Sequence, residues 1–149
     1  QESTPRGTTP AATQATQTEA APRRRAKPIR KADRDPSAPK VTIDLHVHTS
    51  PASSCSSAPV DALIEEAKRI GLDGICLTDH NHVWDPARVE ELRQKHGFLI
   101  LRGNEITTNQ GDVLVFGLEK DIRGIVDLKE LRREVEEVDG FIILAHPFR

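Results

Sequence analysis

The sequence predicts an α/β fold, a parallel sheet with helices packed outside it. Three observations carry that expectation. Short apolar runs rich in β-branched residues alternate with stretches whose apolar positions recur at helical spacing. Gly and Pro punctuate the boundaries between them. Each core run also ends in His, Asp or Glu, and in open α/β sheets and barrels ligands gather at the carboxyl ends of strands.

The first run, Val41-Thr42-Ile43, leads into Asp44-Leu45-His46-Val47-His48-Thr49. Side chains of a strand alternate between faces, so His46 and His48 project the same way, about 7 Å apart. Asp44 lies on that face, deeper along the strand. Two imidazoles so placed suit one metal ion, although an isolated His-x-His is equally compatible with two ordinary surface histidines.

A polar loop, Ser50-Pro51-Ala52-Ser53-Ser54-Cys55-Ser56-Ser57, follows. Pro59 then opens a helix, where its missing N–H costs nothing. Val60, Leu63, Ile64, Ala67 and Ile70 form its apolar stripe, and Gly71 supplies the C-terminal cap. Gly74 to Leu77 is a second strand, ending in Thr78-Asp79-His80-Asn81-His82. Asp85-Pro86 starts a second helix through about Lys95, ended by Gly97. Phe98 to Leu101 is the third core strand, followed by Gly103-Asn104-Glu105.

Ile106–Thr108 and Val113–Phe116 flank Asn109-Gln110-Gly111 and read as a hairpin with a glycine turn. Asp127 caps a third helix, Leu128 to about Val138, with Leu128, Leu131, Val135 and Val138 on its stripe. Phe141 to Leu144 is the fourth core strand, ending in Ala145-His146-Pro147. All four core strands are expected to run parallel.

Composition sets the outer bounds. The 149 residues allow one domain of ordinary size. No apolar run of 18 residues exists, so no membrane-spanning helix is expected. Cys55 and Cys76 stand far apart and form neither a disulfide framework nor a Cys-x-x-Cys pair, which favours a reducing cytoplasm. Cys76, inside Gly74-Ile75-Cys76-Leu77, reads as a small core residue.

The net charge of −2 hides an asymmetry. Residues 1–40 hold nine Lys and Arg against four Asp and Glu, whereas residues 41–149 hold twelve against nineteen. The first 40 residues, with Ile29 as their only large apolar side chain, cannot bury enough surface to fold. Their basic run, Arg23-Arg24-Arg25, suits nucleic acid or anionic lipid. A solvated linker is the stronger reading, because no aromatic residues are interleaved for base stacking.

Asp44-Leu45-His46-Val47-His48-Thr49, Thr78-Asp79-His80-Asn81, Gly103-Asn104-Glu105-Ile106 and Ala145-His146-Pro147 together resemble the successive motifs of the polymerase and histidinol phosphatase (PHP) family. The resemblance implies that residues 41–149 are the N-terminal half of a distorted (β/α)7 TIM-like barrel, incomplete at its C-terminus. It implies two or three divalent metal ions (Zn, Mn or Fe) and hydrolysis of a phosphorylated small molecule, a nucleotide or a nucleic acid. His46 and His48 would hold one ion, Glu105 would bridge it to a second held by His146, and His80 would serve a third. Asp79 would stand behind them, accepting a histidine N–H and fixing its tautomer; an Asx turn is the other reading. Arg102 and Arg149 flank two strand ends, where a guanidinium suits bidentate contact with phosphate. For Arg102 a plain surface charge is the alternative.

The chain departs from the family pattern at three places. The strand after the bridging glutamate carries Asp112 where a histidine is often found. The position a few residues past His48 offers Ser53, Ser54 and Cys55 in place of a histidine, and no closing Asp-x-His follows. His82 has no counterpart in the motif and is expected to face solvent. Two other functions fit parts of the pattern: an amidohydrolase-type C–N hydrolase, which shares the His-x-His, and a non-catalytic metal-binding fragment.

Overall fold

A computed structural model describes residues 37–148. Most of the expected tail, and Arg149, lie outside the described residues. The order of elements is β1 (Ile43–Val47), α1 (Val60–Arg69), β2 (Gly74–Leu77), α2 (Pro86–His96), β3 (Leu99–Arg102), β4 (Asn104–Thr108), β5 (Gly111–Phe116), α3 (Leu128–Glu137) and β6 (Phe141–Leu144). The result is a mixed α/β fold built from two three-stranded sheets. Among the described residues, no helix is long and apolar enough to cross a membrane.

The first sheet, β1-β2-β3, is parallel, as the alternation of strands and helices requires. The second, β4-β5-β6, is antiparallel. β6 runs in the direction of β4, but it does not join the parallel ladder directly: it pairs with β5, with Val113 opposite Leu144 and Phe116 opposite Phe141. The hairpin supplied a free edge, and β6 takes it.

The two sheets meet in one strand. β2 pairs with β3 from Gly74 opposite Leu99 to Leu77 opposite Arg102, and the same register continues to a bridge between His80 and Glu105. Backbone bonds run through the junction, from Gly103 N to Leu77 O (2.9 Å), Glu105 N to Asp79 O (3.2 Å) and Asn81 N to Glu105 O (3.0 Å). β3 and β4 are thus one strand interrupted at Gly103. A Cβ at Gly103 would sit 3.0 Å from the Phe116 ring and from Thr78 Cγ2, so only glycine lets the sheets meet this closely.

The helices follow their capping signals. Asp85 accepts from Ala87 N and Arg88 N, and Gly97 ends α2 in the left-handed region at φ 57°. Asp127 caps α3 through Lys129 N and Glu130 N. Val138, expected on the α3 stripe, is the C-cap residue and lies exposed, since the helix ends before its face turns inward.

The core has three parts. Val60, Ile64 and Ala67 of α1 and Val89 and Leu92 of α2 pack on Ile75, Leu77 and Ile100. Leu131 and Val135 of α3 pack on Ile106, Val113 and Val115. On the opposite face lie Cys76, Leu114, Phe116 and Ala145. Burial pushes the Cys76 thiol up to about 12, helped by the Asp44 carboxyl, so it is chemically inert in the folded chain.

His96 proves to be a tie between helices. Its Nε2 meets Asp61 Oδ1 at 2.6 Å and its Nδ1 meets Glu65 Oε1 at 2.8 Å, while Lys95 Nζ reaches Asp61 at 2.7 Å. Hydrogen bonds from Lys95, then from His96, hold the Asp61 carboxyl below the usual carboxylate range. A depressed folded pKa stabilises the fold above the unfolded value, and that gain fades as pH falls through the folded one. Asp61→Asn is therefore expected to lower the urea midpoint modestly at about pH 7, with the difference from the parent shrinking as pH falls below about 4, the value of an unfolded aspartate. Urea melts at the two pH values measure it.

Candidate metal centre

The ends of the strands bring five of the expected residues into one cleft. His46 and His48 come from the end of β1, His80 from just past β2, Glu105 from β4 and His146 from just past β6. With Cys55 and Ser56 they line an open cavity of about 440 Å³.

Glu105 is the centre, its side chain only 1% exposed. Its Oε2 lies 2.8 Å from His48 Nε2, 3.0 Å from His46 Nε2 and 3.5 Å from His80 Nε2. Its Oε1 lies 3.3 Å from His146 Nε2 but has no hydrogen-bond partner. His46 Nε2 and His48 Nε2 approach to 2.8 Å. Three ring nitrogens thus crowd one carboxylate oxygen, which has two lone pairs to offer them, and a fourth stands by the other oxygen.

Potential ligand atoms fall into two groups, each within 4.8 Å of one another: His46, Glu105 and His146, and His48, Cys55 and His80. His46 and His48 fall in different groups, yet their Nε2 atoms, 2.8 Å apart, are also near enough to share one ion. The chemistry of the donors suits divalent ions such as zinc, iron or manganese. The unpartnered Oε1 is where a cation would satisfy a buried oxygen that no protein donor reaches. Burial, opposed by the Glu105 carboxyl and aided by the neighbouring His80 and His46, holds the His48 pKa below its ordinary value. That favours the neutral imidazole that metals bind.

Asp79 is fully buried but touches no histidine ring among the described residues. Its Oδ1 accepts from Thr49 N (2.6 Å) and Ser53 Oγ (2.6 Å), its Oδ2 from Thr49 Oγ1 (2.7 Å) and Trp84 Nε1 (2.7 Å). The expectation that Asp79 fixes a histidine tautomer is corrected, and so is the Asx turn. Its four acceptor positions are taken by the loop after β1 and by Trp84, whose donors all reach the buried carboxylate. Asp79 still acts on the site at one remove, since Ser53 Oγ also accepts from His80 N at 2.9 Å.

Arg102 is the second correction. Its Nη1 donates to Trp84 O (2.9 Å) and its Nη2 to Glu119 (2.7 Å), so the guanidinium is engaged at the start of α2, and it is not among the residues that line the cleft of the five ligands. Arg123, not singled out in the sequence, instead borders a cavity with His80, Asn81 and Asp121. Asp112 belongs to neither ligand group. His82 is 42% exposed, 3.6 Å from Asp121. Thr49, Ser53 and Trp84 were missed as partners of Asp79; a Thr directly after the His-x-His was their only local signal.

Histidines gathered round a buried carboxylate at the strand ends of an α/β fold define a candidate metal-binding site. The comparisons narrow it: the family model of the PHP domain matches residues 44–146, and the chain belongs to that family. An uncharacterized protein of Methanocaldococcus jannaschii is 25% identical over 114 residues, covering 70% of this chain and 67% of that protein. Another from the same organism is 36% identical over 108 residues, 71% of this chain and 39% of the relative. The error-prone DNA polymerase of Nocardia farcinica is 34% identical over 82 residues, 55% of this chain but 7% of the polymerase. The chain therefore spans about two thirds of one relative and far less of the others.

Removing the Asp79 carboxyl strands four donors at once, three of them buried. Asp79→Ala is expected to cost about 3 kcal/mol or more, given roughly 1.5–3 kcal/mol for a hydrogen bond to a charged group. Urea denaturation measures the loss, which an Asp79→Asn variant should share in part.

Proposed function

We propose that this chain hydrolyses phosphoesters with the help of two or three divalent ions (Zn, Mn or Fe) held by His46, His48, His80, Glu105 and His146. The observation that carries the reading is the convergence of four Nε2 atoms within 3.5 Å of one buried carboxylate. When bound, such ions neutralise the ester oxygens and acidify the attacking water.

The chain's own residues supply the frame. Glu105 turns Oε2 towards His46, His48 and His80 and Oε1 towards His146, which suits a carboxylate set between two centres. The neutral form of His48 favoured by burial keeps its lone pair free for coordination. Asp79, through Thr49 and Ser53, fixes the loop and the backbone of His80 against the sheet. A side chain so locked holds its ligand atom where the reaction needs it.

The substrate class in this reading is a phosphorylated small molecule or a nucleotide, and the resemblance to error-prone DNA polymerases supports it. Residues 41–149 are the catalytic unit in this reading, with residues 1–40 as a separate basic segment, read as a linker whose charge also suits nucleic acid. Two observations support reading β1 to β6 as one side of a (β/α)7 barrel. The ligand-bearing ends gather on one rim, and Phe141 and Ile143, on the face opposite α3, stay 56% and 37% exposed.

With zinc or manganese added, the chain should hydrolyse p-nitrophenyl phosphate or its bis ester but not a p-nitroanilide amide. Glu105→Gln is expected to cut the rate at least ~100-fold, about 3 kcal/mol of barrier, and to lower bound metal measured by mass spectrometry. Amide hydrolysis, or a rate indifferent to Glu105, would sink the proposal.

A further inference from the structure

We propose that Cys55 is a metal ligand, and that with His48 and His80 it forms a mixed sulfur–nitrogen site that prefers zinc to manganese or magnesium. The inference rests on the metal-holding part of the proposed function and is independent of the phosphoester substrate.

Cys55 Sγ lies 3.1 Å from His48 Nδ1, on the side of the ring opposite Glu105. The His80 ring stands edge-on to His48, with centroids 4.6 Å apart. One ligand atom from each of the three lies within 4.8 Å of the others. In a tetrahedral zinc site, bonds of about 2.0–2.3 Å put neighbouring donors about 3.3–3.8 Å apart. The group thus needs to contract by about an ångström, which rotamer adjustment supplies.

The thiol is also held in place. Ser53, two residues before it, is 2% exposed, donates from Oγ to Asp79 and accepts from His80 N. Ser53 N bonds Thr49 O, and Ser56 N bonds Ser53 O, so Cys55 sits in a turn tied down on both sides. An exposed thiol on a serine-rich loop has no packing reason to face the cleft. The adjoining group in the same cleft, His46, Glu105 and His146, invites a cation of its own, since Glu105 Oε1, on a side chain 1% exposed, has no hydrogen-bond partner.

A thiolate changes what the site selects. Sulfur is a soft ligand that favours zinc or iron, whereas oxygen ligands suit manganese and magnesium. Binding through sulfur releases the thiol proton to solvent. Two imidazoles and one thiolate leave a fourth position open, the arrangement of catalytic rather than structural zinc.

Cobalt(II) reads the coordination sphere directly. The full chain loaded with cobalt should show visible ligand-field bands and a near-ultraviolet sulfur-to-metal charge-transfer band. Cys55→Ser should lose the sulfur band and keep the ligand-field bands, whereas Cys76→Ser should keep both. Zinc affinity of Cys55→Ser, measured by chelator competition, should fall at least the roughly tenfold that loss of even an outer-sphere partner brings. Manganese affinity should fall less. Ligand-field bands without a sulfur band in the parent chain would overturn the Cys55 site and leave the metal cluster standing. No ligand-field bands at all would overturn the cluster itself, and Cys55 with it.

Discussion

A buried carboxylate with no Lys or Arg paired to it among the described residues is the constraint from which the rest of this structure follows. Taking a charge out of water costs several kcal/mol unless it is paired or bound by a metal. Among the described residues, no Lys or Arg makes an ion pair with Glu105, and four imidazoles surround it. Imidazoles compensate a carboxylate when they carry protons or when they share a metal with it. Burial, the largest influence on His48, disfavours its protonated form. A metal ion shared with the imidazoles would settle the charge, and the donor groups of the cleft could hold one.

Asp79 solves the same problem by other means. It is equally buried, yet two hydroxyls, a backbone N–H and an indole N–H satisfy it fully. One carboxylate is thus closed and the other left open, only a few residues apart along two neighbouring strands. The closed one anchors the loop after β1, orders Trp84 and reaches His80 through Ser53. The open one faces the cleft. Environment, rather than residue type, divides the two roles.

The backbone places both. Because β3 and β4 are a single strand in unbroken register with β2, the residue opposite His80 is Glu105. A shift of one residue would turn Glu105 to the face where the helices pack. Gly103 is the weak point of that ladder, and its missing side chain lets the ring of Phe116 close over the junction. The second sheet then brings β6, and with it His146, to the same rim.

How much of this was legible in the sequence divides along the range of the forces involved. Local chemistry was enough for the helices and their caps, because Asp85, Gly97 and Asp127 act within a turn of themselves. Period-two alternation put His46 and His48 on one face, and repeated strand-end ligands marked the cleft. What the sequence could not specify was pairing. The antiparallel choice of β6, the partners of Asp79 and the capture of Arg102 by Glu119 each join residues distant along the chain, where competing partners look alike in one dimension. The same holds for Cys55: seven residues past His48 it reads as one more polar loop position, and only the folding of that loop onto Asp79 turns its sulfur towards the histidines.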